Sequence, residues 1–136
     1  MVPNTFMDDL IRENEVYKVY LKDNILCGEY KKNTHIDLQM AKDLILLSKS
    51  LSKGVSYPHL IDAKHIISLS KDAREYLASP EATQDVIAGA FIIGSAVNRI
   101  IGNFFLRINK PQKPTKLFTD KEQALLWLDQ YMRPQS

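Results

Sequence analysis

The sequence predicts an α/β domain built on a single mixed sheet, an N-terminal hairpin followed by parallel strands joined by helices, in the order ββαβαβαβα. Three observations carry this. Two strand-like runs, 16–21 and 25–30, flank Lys22-Asp23-Asn24, and Asp and Asn suit a tight turn. Residues 86–93 are apolar without alternation, the mark of a strand covered on both faces. Helical patterns then alternate with strand-like runs, as they do where right-handed crossovers join parallel strands.

The elements follow in order. Val16, Tyr17, Val19 and Tyr20 are strand formers, and 25–30 repeats the pattern; Lys31-Lys32-Asn33-Thr34 reads as a polar connector. Asp37 caps a helix whose Leu38, Ala41, Leu44, Ile45 and Leu51 share one face, and Gly54 ends it. Residues 57–63 form a short strand with Pro58 near its start. A turn leads to a short helix over 70–78 capped by Ser70, and Ser79-Pro80-Glu81 restarts a helical turn. After the strand at 86–93, Ser95 caps a helix running to about Arg107, which Pro111 and Pro114 stop. Residues 115–118 are the last strand. Thr119 and Glu122 form a capping box for the final helix, with Ala124, Leu125, Leu128 and Tyr131 inward and Trp127 nearby.

With 136 residues the chain suits one domain, taken as 15–132 with an N-terminal extension at 1–14 and a tail at 133–136. Its 45% hydrophobic content is ordinary for a soluble protein, so a core forms without disulfide or metal. A net charge of +2 is too small to imply nucleic acid. The single cysteine, Cys27, excludes an intramolecular disulfide and a multi-cysteine zinc site, and reads as a small core residue. The acidic start (Asp8, Asp9, Glu13) is no signal peptide, and no apolar run approaches the ~20 residues of a spanning helix. The expected location is the cytoplasm.

Catalytic chemistry is sparse. Gly89 and Gly94 have phosphate-loop spacing, but Ser95-Ala96 stands where a Lys and a hydroxyl residue are required. His35, His59 and His65 match no common metal set. A dyad of His65 with Ser68 or Ser70 lacks the Gly-x-Ser-x-Gly elbow, so a small hydrolase is the least favoured class. No metal, cofactor or catalytic residue is expected.

Arg99, Arg107, Lys110, Lys113 and Lys116 form a basic stretch without an acid, suited to solubility or to an anionic partner. Within it, Val97, Ile100, Ile101, Phe104 and Ile108 are expected to face the sheet, leaving Phe105 over. Ile101 and Phe105, four apart, then form a ridge for a second chain, as in a homodimer, or for an apolar ligand; closure against the last helix is the alternative.

The segment Leu60-Ile61-Asp62-Ala63, then Ile66-Ile67-Ser68-Leu69-Ser70-Lys71-Asp72-Ala73-Arg74-Glu75-Tyr76, resembles the strand–loop–helix of STAS-type domains, which include anti-sigma-factor antagonists of the SpoIIAA kind. The run from Asn103 to Pro111, with Pro114-Thr115-Lys116-Leu117-Phe118-Thr119, is similar to small bacterial proteins of the SpoIIAA-like or STAS/SEC14-like kind. The resemblance implies a SpoIIAA-like fold and a non-enzymatic regulatory module that binds a regulator or kinase around Ser68, Ser70, Lys71, Asp72 and Arg74. Those antagonists carry Asp-Ser-Ser/Thr-Gly, phosphorylated on the second hydroxyl; aligned on Asp62, this sequence has Ser70-Lys71-Asp72-Ala73, so Asp72 takes the acceptor position. A register slipped by two makes Ser68 or Ser70 the acceptor. The second functional reading is a carrier or sensor of a lipid or other apolar small molecule.

Overall fold

The computed structural model describes residues 10–132; residues 1–9 of the proposed extension and the tail at 133–136 lie outside the described residues. The chain runs β1 (Ile11–Glu13), β2 (Tyr17–Lys22), β3 (Ile25–Tyr30), β4 (Thr34–Ile36), α1 (Leu38–Ser52), β5 (Tyr57–Asp62), β6 (Ile66–Leu69), α2 (Lys71–Leu77), β7 (Val86–Ile92), α3 (Ala96–Phe104), β8 (Thr115–Phe118) and α4 (Lys121–Asp129). Six strands form the main sheet in the order β1-β2-β3-β5-β7-β8. The first three are antiparallel and the rest parallel, so the expected hairpin and crossovers are both present.

The hairpin closes through Asp23 and Asn24, at φ 53° and 64°. Two consecutive left-handed residues match the twist of the flanking strands, and Asp and Asn tolerate that region. Alternation then divides the core. Tyr17, Val19, Leu26 and Ile61 face α1 and α2, meeting Ala41, Leu44, Leu51 and Ala73. Leu60, Ala88, Ala90 and Ile92 face α4, meeting Ala124 and Leu128. The unalternating run 86–93 is covered on both faces from Ala88 onward, while Ile87 at its start is exposed.

The caps follow the chemistry of the sequence. Asp37 accepts from Met40 N at 2.9 Å and Ser95 from Asn98 N at 3.0 Å. Gly54 follows α1 at φ 84°, a conformation a side chain resists. Thr83 N donates to Ser79 O at 3.1 Å, the helical turn expected after Ser79. At α4 the cap sits one residue later than Thr119: Asp120 is extended and its carboxylate accepts from Glu122 N at 2.8 Å.

Three short strands depart from the predicted order. β1 lies inside the segment taken as an extension and pairs with β2 through Ile11↔Tyr20. β4 occupies the end of the polar connector and pairs with β6 as a separate two-stranded parallel sheet. Three- and four-residue strands carry too little alternation to register as a pattern.

Candidate functional site

The STAS-like segment spans the end of β6 and the first turn of α2. Ser70 is the N-cap: its Oγ accepts from Ala73 N at 3.3 Å and donates to Asp72 Oδ1 at 2.7 Å. Asp72 Oδ1 also accepts from Ala73 N at 3.1 Å. The Ser70 hydroxyl, joined by the backbone N–H groups of Asp72 and Ala73, lowers the Asp72 carboxyl from its ordinary value. A fixed negative charge therefore sits in the first helical turn, where the helix dipole favours it. Lys71 beside it is exposed.

Ser68 is brought to His35 rather than His65: the β4–β6 pairing sets His35 Nδ1 2.7 Å from Ser68 Oγ. His65 Nδ1 lies 3.1 Å from Asn33 Oδ1. The dyad drawn from sequence spacing is therefore not assembled. Asp62 stands at the end of β5 and accepts from Lys64 N at 3.1 Å, as its place at the strand edge implies. Its side chain is about one-third exposed (35%), so the carboxylate keeps contact with solvent at the end of an apolar strand.

Arg74 connects this segment to α3. Its guanidinium lies 4.7 Å from the centroid of the Phe104 ring, Nε donates to Asn109 Oδ1 at 3.3 Å, and Nη1 to Leu69 O at 3.4 Å. Asn109 closes a π-helical turn, Phe105–Asn109, that continues α3 and ends at Lys110 with φ 49°.

The face of α3 that meets the sheet is the opposite of the one expected. Phe105, assigned to an outward ridge, is 9% exposed and packs edge-on against Phe91 of β7, with ring centroids 6.2 Å apart. Val97, Ile100, Phe104 and Ile108, assigned to the sheet, are 58%, 64%, 48% and 62% exposed. Two residues decide the rotation. Gly102 packs on β8, where a Cβ would lie 2.8 Å from Leu117 Cδ1. Asn98 is buried and donates through Nδ2 to Ala63 O and Ile66 O, both at 2.9 Å, while its Oδ1 accepts from Gly94 N at 3.0 Å. With Asn98, Ile101, Gly102 and Phe105 inward, the other stripe is left outside. Counting apolar residues missed Asn98; the signal available was a polar and a small residue, Asn98 and Gly102, one turn apart on the same stripe.

Inward, Ile101 and Phe105 line a space beneath the sheet. A cavity of about 160 Å³ lies between the sheet and helices α1 and α3, its wall largely apolar, with Leu44, Ile61, Phe91, Ile101 and Phe105 among its lining. His59 of β5 also lines it. The ring is partly buried, and its Nε2 is shut off from solvent without a hydrogen-bond partner. Burial pushes the His59 pKa down to about 4, against the opposing pull of Asp85. Lys113, counted in the basic stretch, is turned to the same region and donates to Thr83 O at 2.8 Å and Val86 O at 2.7 Å. Cys27 is buried and burial pushes its thiol up, the behaviour of a core residue.

Residues 19–132 match the family model described as a domain of unknown function, DUF7793. The chain belongs to this family. No curated protein matches it. The DUF7793 domain is similar to the crystal structure of an uncharacterised protein of the DUF3478 family with a SpoIIAA-like fold, from Shewanella loihica PV-4. The TM-score is 0.58 at 19% identity, over 85% of this chain and 96% of that one. The fold is therefore SpoIIAA-like, as the two sequence stretches implied. Among the described residues, no helix of this DUF7793 protein is long and apolar enough to cross a membrane, and no group of His, Cys, Asp and Glu is placed to hold a metal ion.

Proposed function

We propose that this DUF7793 protein is a non-enzymatic regulatory module that binds another protein through Ser68, Ser70, Lys71, Asp72 and Arg74 together with the outer face of α3. The observation that carries this reading is the exposed stripe Val97, Ile100, Phe104 and Ile108, joined to the STAS-like segment by the Arg74–Phe104 contact. Single exposed apolar residues are ordinary, whereas an aligned row at i, i+3, i+7 and i+11 is the pattern of a docking face. Arg99, Arg107 and Lys110 are exposed along the same helix and its end. They favour a partner with an apolar centre and an acidic rim. Asp72 supplies one constant charge where a phosphorylated antagonist gains nearly two, so the module is read as locked in one state.

The test is a photo-crosslinking amino acid at position 104, used in cells, with the adduct identified by mass spectrometry. The expected adduct is one regulator or kinase, lost in Ile100→Glu and kept in Leu126→Glu, whose leucine is 68% exposed on α4. Equal capture from positions 104 and 126 overturns the reading, and an adduct of twice the protein's own mass replaces it with a homodimer.

A further inference from the structure

We propose that the cavity beneath the sheet binds a small neutral molecule, about the size of one substituted ring, whose carbonyl oxygen accepts a hydrogen bond from the hydroxyl of Tyr17. This goes beyond the protein-binding reading and stands whether or not that reading holds.

The starting point is a buried hydroxyl with nothing to bond. Tyr17 is 4% exposed and belongs to the cavity wall. Among the described residues its hydroxyl has no hydrogen-bond partner, although buried polar groups are almost always paired. Nor is its oxygen closed off from a solvent-sized molecule, as His59 Nε2 is.

Gly28 fixes where that oxygen lies. A Cβ at this position would overlap the Tyr17 hydroxyl and stand 3.0 Å from Ile61 Cδ1. Glycine weakens a strand interior and marks a close approach; here it lets the phenol of β2 reach across β3 toward β5. Ile61 is itself a wall residue, on the face that α1 and α2 cover. The open oxygen therefore lies on the floor of the cavity and not at the rim of the sheet.

Most other donors of the wall are engaged within the protein. Ser52 donates to Asp85 Oδ2, Thr83 to Ser79 O and Thr115 to Lys113 O. Asn98 gives both amide hydrogens to the carbonyls of Ala63 and Ile66. Lys49 donates to Gln84 Oε1, and Lys113 to the carbonyls of Thr83 and Val86. Two further hydroxyls are open, those of Tyr30, whose ring centroid is 4.8 Å from that of Tyr17, and of half-buried Ser48. Tyr17 is distinguished from both by its depth and by the slot at Gly28.

The chemistry of the missing partner follows. Burial pushes the Tyr17 pKa well above its ordinary value, so the hydroxyl keeps its hydrogen. A phenol oxygen shares its lone pair with the ring and acts mainly as a donor, so the complement is an acceptor. The two lysines of the wall are engaged and Asp85 adds a carboxylate to it, so an anion finds no counter-charge there. A neutral carbonyl meets both conditions. The volume of about 160 Å³ is close to the roughly 150 Å³ that accommodates benzene in an apolar interior, which sets the size at one ring with a small substituent. A water on the Tyr17 hydroxyl is the competing occupant.

The experiment titrates acetophenone, and α-methylstyrene with a methylene in place of the carbonyl oxygen, into the ¹⁵N-labelled full chain and into Tyr17→Phe. Acetophenone is expected to give saturable shifts at the amides of Gly28 and Ile61. Tyr17→Phe should weaken acetophenone about five- to tenfold, the factor one net hydrogen bond provides, and leave α-methylstyrene within about twofold. Comparing each ligand with itself cancels the hydration of the carbonyl. Tyr30→Phe and Ser48→Ala should leave both affinities unchanged. Tyr17→Phe removes a hydroxyl that bonds nothing in the protein and should fold. Should it not, the carbonyl stretch of acetophenone bound to the wild type decides: it falls below its value in hexane where the hydroxyl donates and matches it otherwise. Equal losses for the two ligands, a loss in Tyr30→Phe or Ser48→Ala in place of Tyr17→Phe, shifts confined to the outer surface, or no saturation by acetophenone overturns the proposal, the last leaving water as the occupant.

Discussion

The Arg74 guanidinium stacks over the Phe104 ring at 4.7 Å, tying the first helix after the STAS-like strand to the exposed stripe of α3. Both residues keep contact with solvent, so the contact is worth about 0.5–1 kcal/mol in stability. A double-mutant cycle on Arg74→Ala and Phe104→Ala, read by urea unfolding, should return a coupling of that size. A coupling indistinguishable from zero would mean that the two surfaces are adjacent without being joined.

Rotation of α3 gives a sharper contrast between neighbours. Phe105→Ala should destabilise by about 3–5 kcal/mol, as for other buried phenylalanines. Phe104→Ala should cost about 1 kcal/mol or less, since only the stacking contact and a partly exposed ring are lost. Equal costs in chemical denaturation would contradict the placement of these two side chains.

Why the fold was legible and this rotation was not follows from the residues. The hairpin was written locally, in Asp23-Asn24 between two strand-forming runs, and the covered strand in the unbroken apolar stretch at 86–93. Ser70 and Asp37 were legible as caps because capping is a contact within four residues. α3 offered two apolar stripes, and periodicity gives no preference between them. The decision came from Leu117, whose side chain leaves room only for Gly102, and from the carbonyls of Ala63 and Ile66, which require the Asn98 amide. Those partners are distant in sequence. The orphaned Nε2 of His59 was hidden for the same reason: its isolation depends on what β7, α1 and α3 fail to supply.

Asn98 makes a third prediction. Asn98→Leu fills similar volume but strands two carbonyls and the Gly94 N–H, so the loss should be about 3 kcal/mol at roughly 1 kcal/mol per bond. Hydrogen exchange at Gly94 should accelerate beyond the amount set by global destabilisation. Unchanged relative protection there would show that the side chain is not what holds the end of β7 to α3.

The first turn of α2 makes a fourth. Ser70 Oγ already donates to the Asp72 carboxylate, and that charge repels an incoming phosphate. Incubation with a serine kinase directed at STAS antagonists should leave the mass unchanged. A single phosphate mapped to Ser68 or Ser70 would move the acceptor position by the alternative register. Ser70→Ala should separately cost about 0.5–2 kcal/mol through loss of the cap.

His59 sets the acid limb of stability. Its ordinary value is 6.5 and burial lowers it to about 4 in the folded protein. At a pH between those values the unfolded chain binds a proton that the folded chain refuses. Stability therefore rises with pH across that window, is complete above about 6.5, and falls as the pH drops toward 4. The size implied is on the order of 3 kcal/mol over the window. Carboxylates titrate at its lower end, so the wild type alone does not isolate the imidazole. The difference in unfolding free energy between wild type and His59→Gln, which carries no titrating group, does. That difference should shift against the wild type between pH 7 and pH 4.5, with most of the change above pH 5, where ordinary carboxylates are still ionised. A constant difference between wild type and His59→Gln across the window would show that the ring accepts its proton as readily in the folded protein as in water.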